Sequence, residues 1–181
     1  MAIHASKRDL PNKAIFGALG QLVYAFAQLE QSLLHALATA LGDTEEANVV
    51  LAGLNFNQAL DRFSVLYATV GDSYEGGMSK LCSTLAALTA ERNRHIHSNW
   101  AFWGSGAPAR IRTRLKRNKG VAFSMETVDP GEVLHLARRM DEQTEAIYRL
   151  RIQYMEVRVT RRVNLQRSMA GELTIPEAQA N

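Results

Sequence analysis

The sequence predicts a mainly α-helical protein: an antiparallel bundle of four to five helices with a small β-hairpin inserted before the last long helix. Three observations predict it. Apolar residues recur at spacings of three and four over most of the chain. That period switches once, over about residues 109–127, to strict alternation. Neither Gly nor Pro occurs between Gly131 and Gly171, so the final helical segment is long.

The elements follow in order. Pro11 suits the first turn of a helix. Ile15, Leu19, Leu22, Phe26, Leu29, Leu33, Leu37 and Leu41 then form one stripe that ends at Gly42. Asp43 or Thr44 caps a short second helix through Leu51. Phe56, Leu60, Phe63, Tyr67 and Val70 mark a third helix, stopped by Gly71. After the glycine-containing loop Gly71 to Gly77, a further helix runs from about Met78 to His97. Trp100-Ala101-Phe102-Trp103 reads as an aromatic plug leading into a loop with Gly104, Gly106 and Pro108. Ile111, Thr113 and Leu115 alternate with Arg110, Arg112, Arg114 and Lys116; after the turn at Asn118-Lys119-Gly120, Val121, Phe123 and Met125 alternate back. The expected hairpin has an apolar face lying on the helices and a basic face towards solvent. Asp129-Pro130-Gly131-Glu132 starts the last helix, which continues to about Arg167. One domain over 1–170 is expected, with 171–181 a mobile tail.

With 181 residues and 46% hydrophobic content, the chain can bury a sizeable core. No apolar run approaches the roughly 20 residues of a membrane span. Residues 1–8 lack the apolar region of a signal peptide, and the expected location is cytoplasmic. Cys82 is the single cysteine, which excludes an intrachain disulfide and a zinc site built on paired thiolates. No metal or cofactor is expected. The net charge of +3 is mild, but six Lys or Arg lie between Arg110 and Lys119 with no acid among them. Such a concentration is the usual footprint of a phosphate-bearing partner.

The chemically distinctive stretch is Glu91-Arg92-Asn93-Arg94-His95-Ile96-His97. On a helical wheel Arg92 falls within roughly 40° of Leu81, beside Leu85 and Leu88, in the apolar stripe. An arginine there needs an anion, because it keeps its charge. Asn93 and His97, four apart, share a face at the stripe's edge. Glu30 falls inside the stripe of the first helix and is expected to orient Arg92 or Asn93. Arg94 and His95 are read as bystanders, Arg94 facing away from Arg92 and either solvent-exposed or near the dimer cleft, His95 pairing at the surface with Glu91. Trp100 and Trp103 are read as anchors in preference to base-stacking platforms.

Arg92-Asn93-x-x-x-His97 resembles the Arg-polar-x(4–6 in total)-His motif of the HEPN superfamily of nucleotide-binding domains. So do the flanks: Leu29-Glu30-Gln31-Ser32-Leu33 on the first helix, Asn55-Phe56 leading to Leu60, and Trp100 just past the histidine. The resemblance covers about residues 11–167. It implies an all-α bundle that forms homodimers with the motif residues of two protomers lining one cleft. Many such domains are metal-independent endoribonucleases, notably toxins of toxin–antitoxin and other anti-phage systems; others only bind. The expectation is therefore an RNA-cleaving homodimer neutralised by an antitoxin protein. His97 would be the acid or base, Arg92 the phosphate donor and Asn93 the positioning group, with Arg110, Arg112, Arg114 and Lys116 holding the RNA backbone. The alternatives are a non-catalytic dimer that binds a protein or nucleotide, and a nucleic-acid-binding regulator using the basic hairpin.

Overall fold

The computed structural model describes residues 9–71, 74–103, 107–116 and 120–169. The expected tail 171–181 and the turn at 117–119 lie outside them, as do the side chains of Arg112, Arg114, Lys116 and Trp103. Within them the chain forms α1 (Asp9–Leu41), α2 (Glu45–Ala52), α3 (Phe56–Leu66), α4 (Gly77–Ile96), β1 (Asn99–Trp103), β2 (Ala107–Lys116), β3 (Gly120–Thr127) and α5 (Pro130–Met169). The mainly helical architecture with a small β insertion is the one the periodicity predicts.

Each boundary has a local cause. At the end of α1, Gly42 adopts φ +100°, and the Asp43 amide reaches back to the Ala38 carbonyl at 2.8 Å. A residue with a Cβ is strained in that conformation, so glycine ends the helix. The Thr44 hydroxyl accepts from the Ala47 amide to start α2. Asn55 and Gln58 form a reciprocal capping box at α3, each side chain satisfying the other's backbone amide at 3.0 Å.

The core is the meeting of the apolar stripes. Leu22, Leu29, Leu33 and Leu37 of α1 are fully buried, as are Phe63 of α3, Leu81, Leu85 and Leu88 of α4, and Val133, Met140 and Ile147 of α5. Helices α1 and α5 make the most extensive contact. They run in the same direction: Ser32 Oγ meets the Thr144 carbonyl, and Thr39 meets Arg151 and Arg158 further along. Arg158 donates to the Thr39 and Ala40 carbonyls in the last turn of α1, where carbonyls run out of helical partners. Helix α4 runs against α5, with Tyr74 near its start bonded to Gln143 and Glu91 near its end paired with Arg139. Among the described residues no helix is long and apolar enough to cross a membrane.

The insertion differs from the expected hairpin in two ways. It is a three-stranded antiparallel meander, because Asn99–Trp103 pairs with β2 as an additional strand, Trp100 opposite Arg110 and Phe102 opposite Pro108. Its faces are also reversed. Trp100, Arg110 and Glu126 are neighbours across the sheet and point to the helical side. Arg110 is only 5% exposed, whereas Phe123 is 71% and Met125 54% exposed on the other face. The physical reason lies in what the helices present to the sheet: His95 of α4 and Phe16 of α1. Phe102 packs its ring 5.7 Å from Phe16. Arg110 meets His95 and forms an ion pair with Glu126.

Candidate functional site

Helix α4 ends at Ile96 with His97 as its cap residue, whose amide bonds the Asn93 carbonyl at 3.1 Å. The turn that follows passes directly into β1. The end of α4 is thereby held against the outward face of the sheet. Between them lies an open cleft of about 320 Å³ lined by Asn93, Arg94, His97, Ser98, Asn99, Ile111 and Thr113. Asn93 and His97 therefore converge, as their spacing of four requires. Both are exposed to solvent.

Arg92 stands behind this cleft and is not among its lining residues. It enters the apolar layer as the wheel requires: its guanidinium carbon lies 4.5 Å from the centre of the Phe26 ring of α1. That is a cation–π contact. One terminal nitrogen donates to Asn93 Oδ1 at 2.8 Å, while Nε is buried without a partner. A guanidinium can only donate, so this bond turns the carboxamide oxygen of Asn93 towards Arg92. The amide nitrogen of Asn93 is left as a donor on the cleft side. Arg92 thus acts on the cleft through Asn93.

Glu30 does not play the expected part. It is half-buried, and among the described residues no hydrogen bond or ion pair joins it to Arg92. The guanidinium already has the Phe26 ring, one helical turn before Glu30, and the Asn93 carboxamide. Delocalised charge over a ring face needs no carboxylate to be tolerated.

Of the two places expected for Arg94, solvent or the cleft, it has both. It is exposed and lines the cleft with Asn93 and His97. Its position in the last turn of α4 is favourable, since cations are stabilised near a helix C-terminus. Its placement beside the turn into β1 brings a residue on the solvent side of α4 next to the sheet.

His95 and Arg110 are both corrected. His95 is 6% exposed and does not pair with Glu91, which takes Arg139 at 3.2 Å. Its ring stacks on Trp100 at 6.4 Å, its carbonyl accepts from Trp100 Nε1 at 3.1 Å, and its Nδ1 lies 3.5 Å from Arg110. Burial pushes the imidazole pKa down, and the Arg110 charge pushes it further the same way. Trp100 is accordingly an anchor. Arg110 is engaged with Glu126 and turned from solvent, so it is not an RNA-facing residue. Arg112, Arg114 and Lys116 stand on β2 opposite Ser124, Ala122 and Gly120. Cys82 is half-buried against the core, and burial raises its thiol pKa. Among the described residues no cluster of three His, Cys, Asp or Glu side chains is arranged to hold a metal ion.

Compared with protein-family models, curated proteins and solved structures, the chain matches none.

Proposed function

We propose that this chain is a metal-independent endoribonuclease of HEPN type, acting as a homodimer with His97 exchanging the protons. The observation that carries the reading is the convergence of an imidazole, a carboxamide donor and a guanidinium in one open cleft: His97, Asn93 and Arg94. Cleavage of RNA by its own 2′-hydroxyl needs three things. A base removes the 2′-hydroxyl proton as the oxygen attacks phosphorus. Donors take up the charge that gathers on the phosphate oxygens. An acid delivers a proton to the departing 5′-oxygen, leaving a 2′,3′-cyclic phosphate. Imidazole is the side-chain type suited to both proton transfers near neutral pH. The Asn93 amide and the Arg94 guanidinium supply donors aimed at the phosphate. Arg92, held over Phe26, fixes the rotamer of Asn93 and positions it. Two copies sharing a cleft would let one His97 act as base and the other as acid. An antitoxin protein covering that cleft would silence it.

The test is RNA cleavage with EDTA present. His97→Ala should abolish it. Arg94→Ala and Asn93→Ala should each lower it by roughly 10²–10³, the usual effect of losing one transition-state donor. Cleavage that survives His97→Ala, or that EDTA abolishes, refutes the mechanism.

A second reading is favoured by the geometry of Arg92 itself, which is satisfied largely within one chain by Phe26 and Asn93. In it the motif is a structural network of a binding module for a protein or nucleotide. Wild-type protein without nuclease activity, together with unfolding of Arg92→Ala, would select it. A nucleic-acid-binding regulator would instead keep salt-dependent binding in His97→Ala and lose it when Arg112 and Arg114 are neutralised.

A further inference from the structure

Helix α5 carries a second apolar row outside the core. Its core face, with Met140, Ile147 and Leu150, is buried. Roughly a third of a turn round the helix, Tyr148, Ile152, Met155 and Val159 follow one another at spacings of four, three and four. Tyr148 is 51%, Met155 37% and Val159 61% exposed, and Ile152 is half-buried. Glu145 and Arg162, both exposed, continue the row by three residues at its two ends. Arg149 and Glu156 stand along one edge, each directly after a member of the row, and both are exposed. Arg158 already meets Thr39 and Ala40 in the last turn of α1, so α5 runs on past that end to Met169. There an open hollow of about 330 Å³ lies against the row, between Thr39, Gly42 and Asp43 at the α1 end and Met155, Val159 and Arg162 of α5.

We infer that this row is a self-complementary interface through which two copies of the chain pair by antiparallel contact of α5, with Tyr148 of each seated in the hollow of the other. Charge selects both the occupant and its direction. The spacings from Glu145 to Arg162 are three, four, three, four and three, the same read from either end. A two-fold axis between Gln153 and Tyr154 therefore lays the row upon itself. Ile152 meets Met155 of the second copy, Tyr148 meets Val159, and Glu145 meets Arg162. Such an interface is isologous, so each contact occurs twice. Arg149 comes opposite Glu156 along the shared edge, again twice. Parallel pairing would set Glu145 on Glu145 and Arg162 on Arg162, like charges at both ends of the seam, and juxtaposed like charges reject a pairing. Val159, which Tyr148 of the second copy meets, is a wall of the hollow, and the Asp43 carboxylate there is an acceptor for a phenol hydroxyl. The seam from Glu145 to Arg162 runs for about 26 Å along the helix. Its centre lies about 22 Å along α5 from Arg139, which holds the end of α4 through Glu91. The His97 cleft is at that far end and stays open. The inference is thus independent of the reading of the cleft, and a chain that also shares its cleft with another copy would assemble beyond a dimer.

The test is sedimentation velocity of the full chain across a concentration series, with circular dichroism confirming that each variant keeps its helices. Wild type should associate reversibly. Met155→Glu puts a charge at an exposed position in the middle of the row and should abolish the pairing. The mass then falls to one chain, or to two where the cleft is shared as well. Tyr148→Ala should weaken pairing by roughly tenfold or more, as the loss of an aromatic anchor from its pocket does. Glu145→Arg should weaken it by setting two guanidinium groups together. Glu145→Arg combined with Arg162→Glu should restore it, a pattern that antiparallel pairing produces and parallel pairing does not. Wild type that is a single chain at every concentration overturns the inference. So does a mass unchanged in Met155→Glu, or a double variant that pairs no better than Glu145→Arg alone. RNA cleavage in EDTA, read on the same wild-type protein, keeps the two readings apart. Pairing lost in Met155→Glu while wild type cuts nothing leaves the interface standing and removes the nuclease. Cleavage by a wild type that does not pair through α5 does the reverse.

Discussion

Arg110 and Glu126 form an ion pair whose two ends have very different access to water: the Arg110 side chain is 6% exposed and that of Glu126 is 54% exposed. Removing one partner is costly when the other is left charged and buried, about 3–5 kcal/mol. That situation arises only when Glu126 is lost. Glu126→Gln leaves the guanidinium against a neutral imidazole 3.5 Å away, with its Nε already unpartnered. For a chain of this length each kcal/mol shifts melting by about 2–4 °C, so Tm should fall by roughly 6–20 °C. Arg110→Met leaves a carboxylate more than half in water, which solvent re-hydrates, and methionine keeps much of the apolar stem. Its cost should be about 1 kcal/mol, near that of an exposed pair. Urea titrations of both variants at pH 7.5, followed by circular dichroism, measure the difference directly. An Arg110→Met protein as unstable as Glu126→Gln would refute the assignment of Arg110 as the buried member.

Two further outcomes are expected. His95 has its pKa depressed from the ordinary 6.5, first by burial and then by Arg110. Above that value both folded and unfolded chains carry it neutral, and its contribution to stability is complete. As pH falls below 6.5 the unfolded chain takes up the proton first, so stability is lost until the lower folded pKa is reached. Melting temperatures measured between pH 7.5 and pH 5 should show this decline; it should be flatter in His95→Gln, and in Arg110→Met it should begin at the same pH but end at a higher one, with a smaller total loss. At the start of α3, Asn55→Ala removes half of the capping box. It should cost about 1 kcal/mol, or 2–4 °C in a thermal melt, without affecting any property of the cleft.

The helices were legible because a stripe at three-and-four spacing is both the signal and the cause of burial: the leucines that predict α1 are the leucines that fill the core. The cap residues Thr44 and Asn55 and the stop at Gly42 act through bonds to residues three to five away, so they too are written locally. Strand β1 was not legible. Trp100-Ala101-Phe102-Trp103 shows no alternation, and it is a strand because β2, beginning at Ala107, pairs with it. The convergence of Asn93 with His97 follows from helical geometry alone. The partner of Arg92 does not, since the choice between Phe26 and Glu30, one turn apart on α1, depends on how far α4 slides along α1.

The alternation of β2 announces two faces but carries no label for which one meets the helices. An apolar face would ordinarily win that place, since each buried side chain of Ile or Phe size contributes about 1.5–3 kcal/mol. Here the helical side already presents a buried histidine, and the register sets Arg110 between Trp100 and Glu126, so the guanidinium goes inward with its charge answered. A one-residue shift in strand parity changes the face of every side chain. That single choice turns Ile111, Thr113, Met125 and Phe123 outward together. Two of them then form the wall of the His97 cleft, and the other two extend it into solvent. The inward arginine is therefore what gives the cleft its apolar margin: restoring an apolar residue at position 110 tests stability, whereas polar substitution at Phe123 tests what the exposed margin is for.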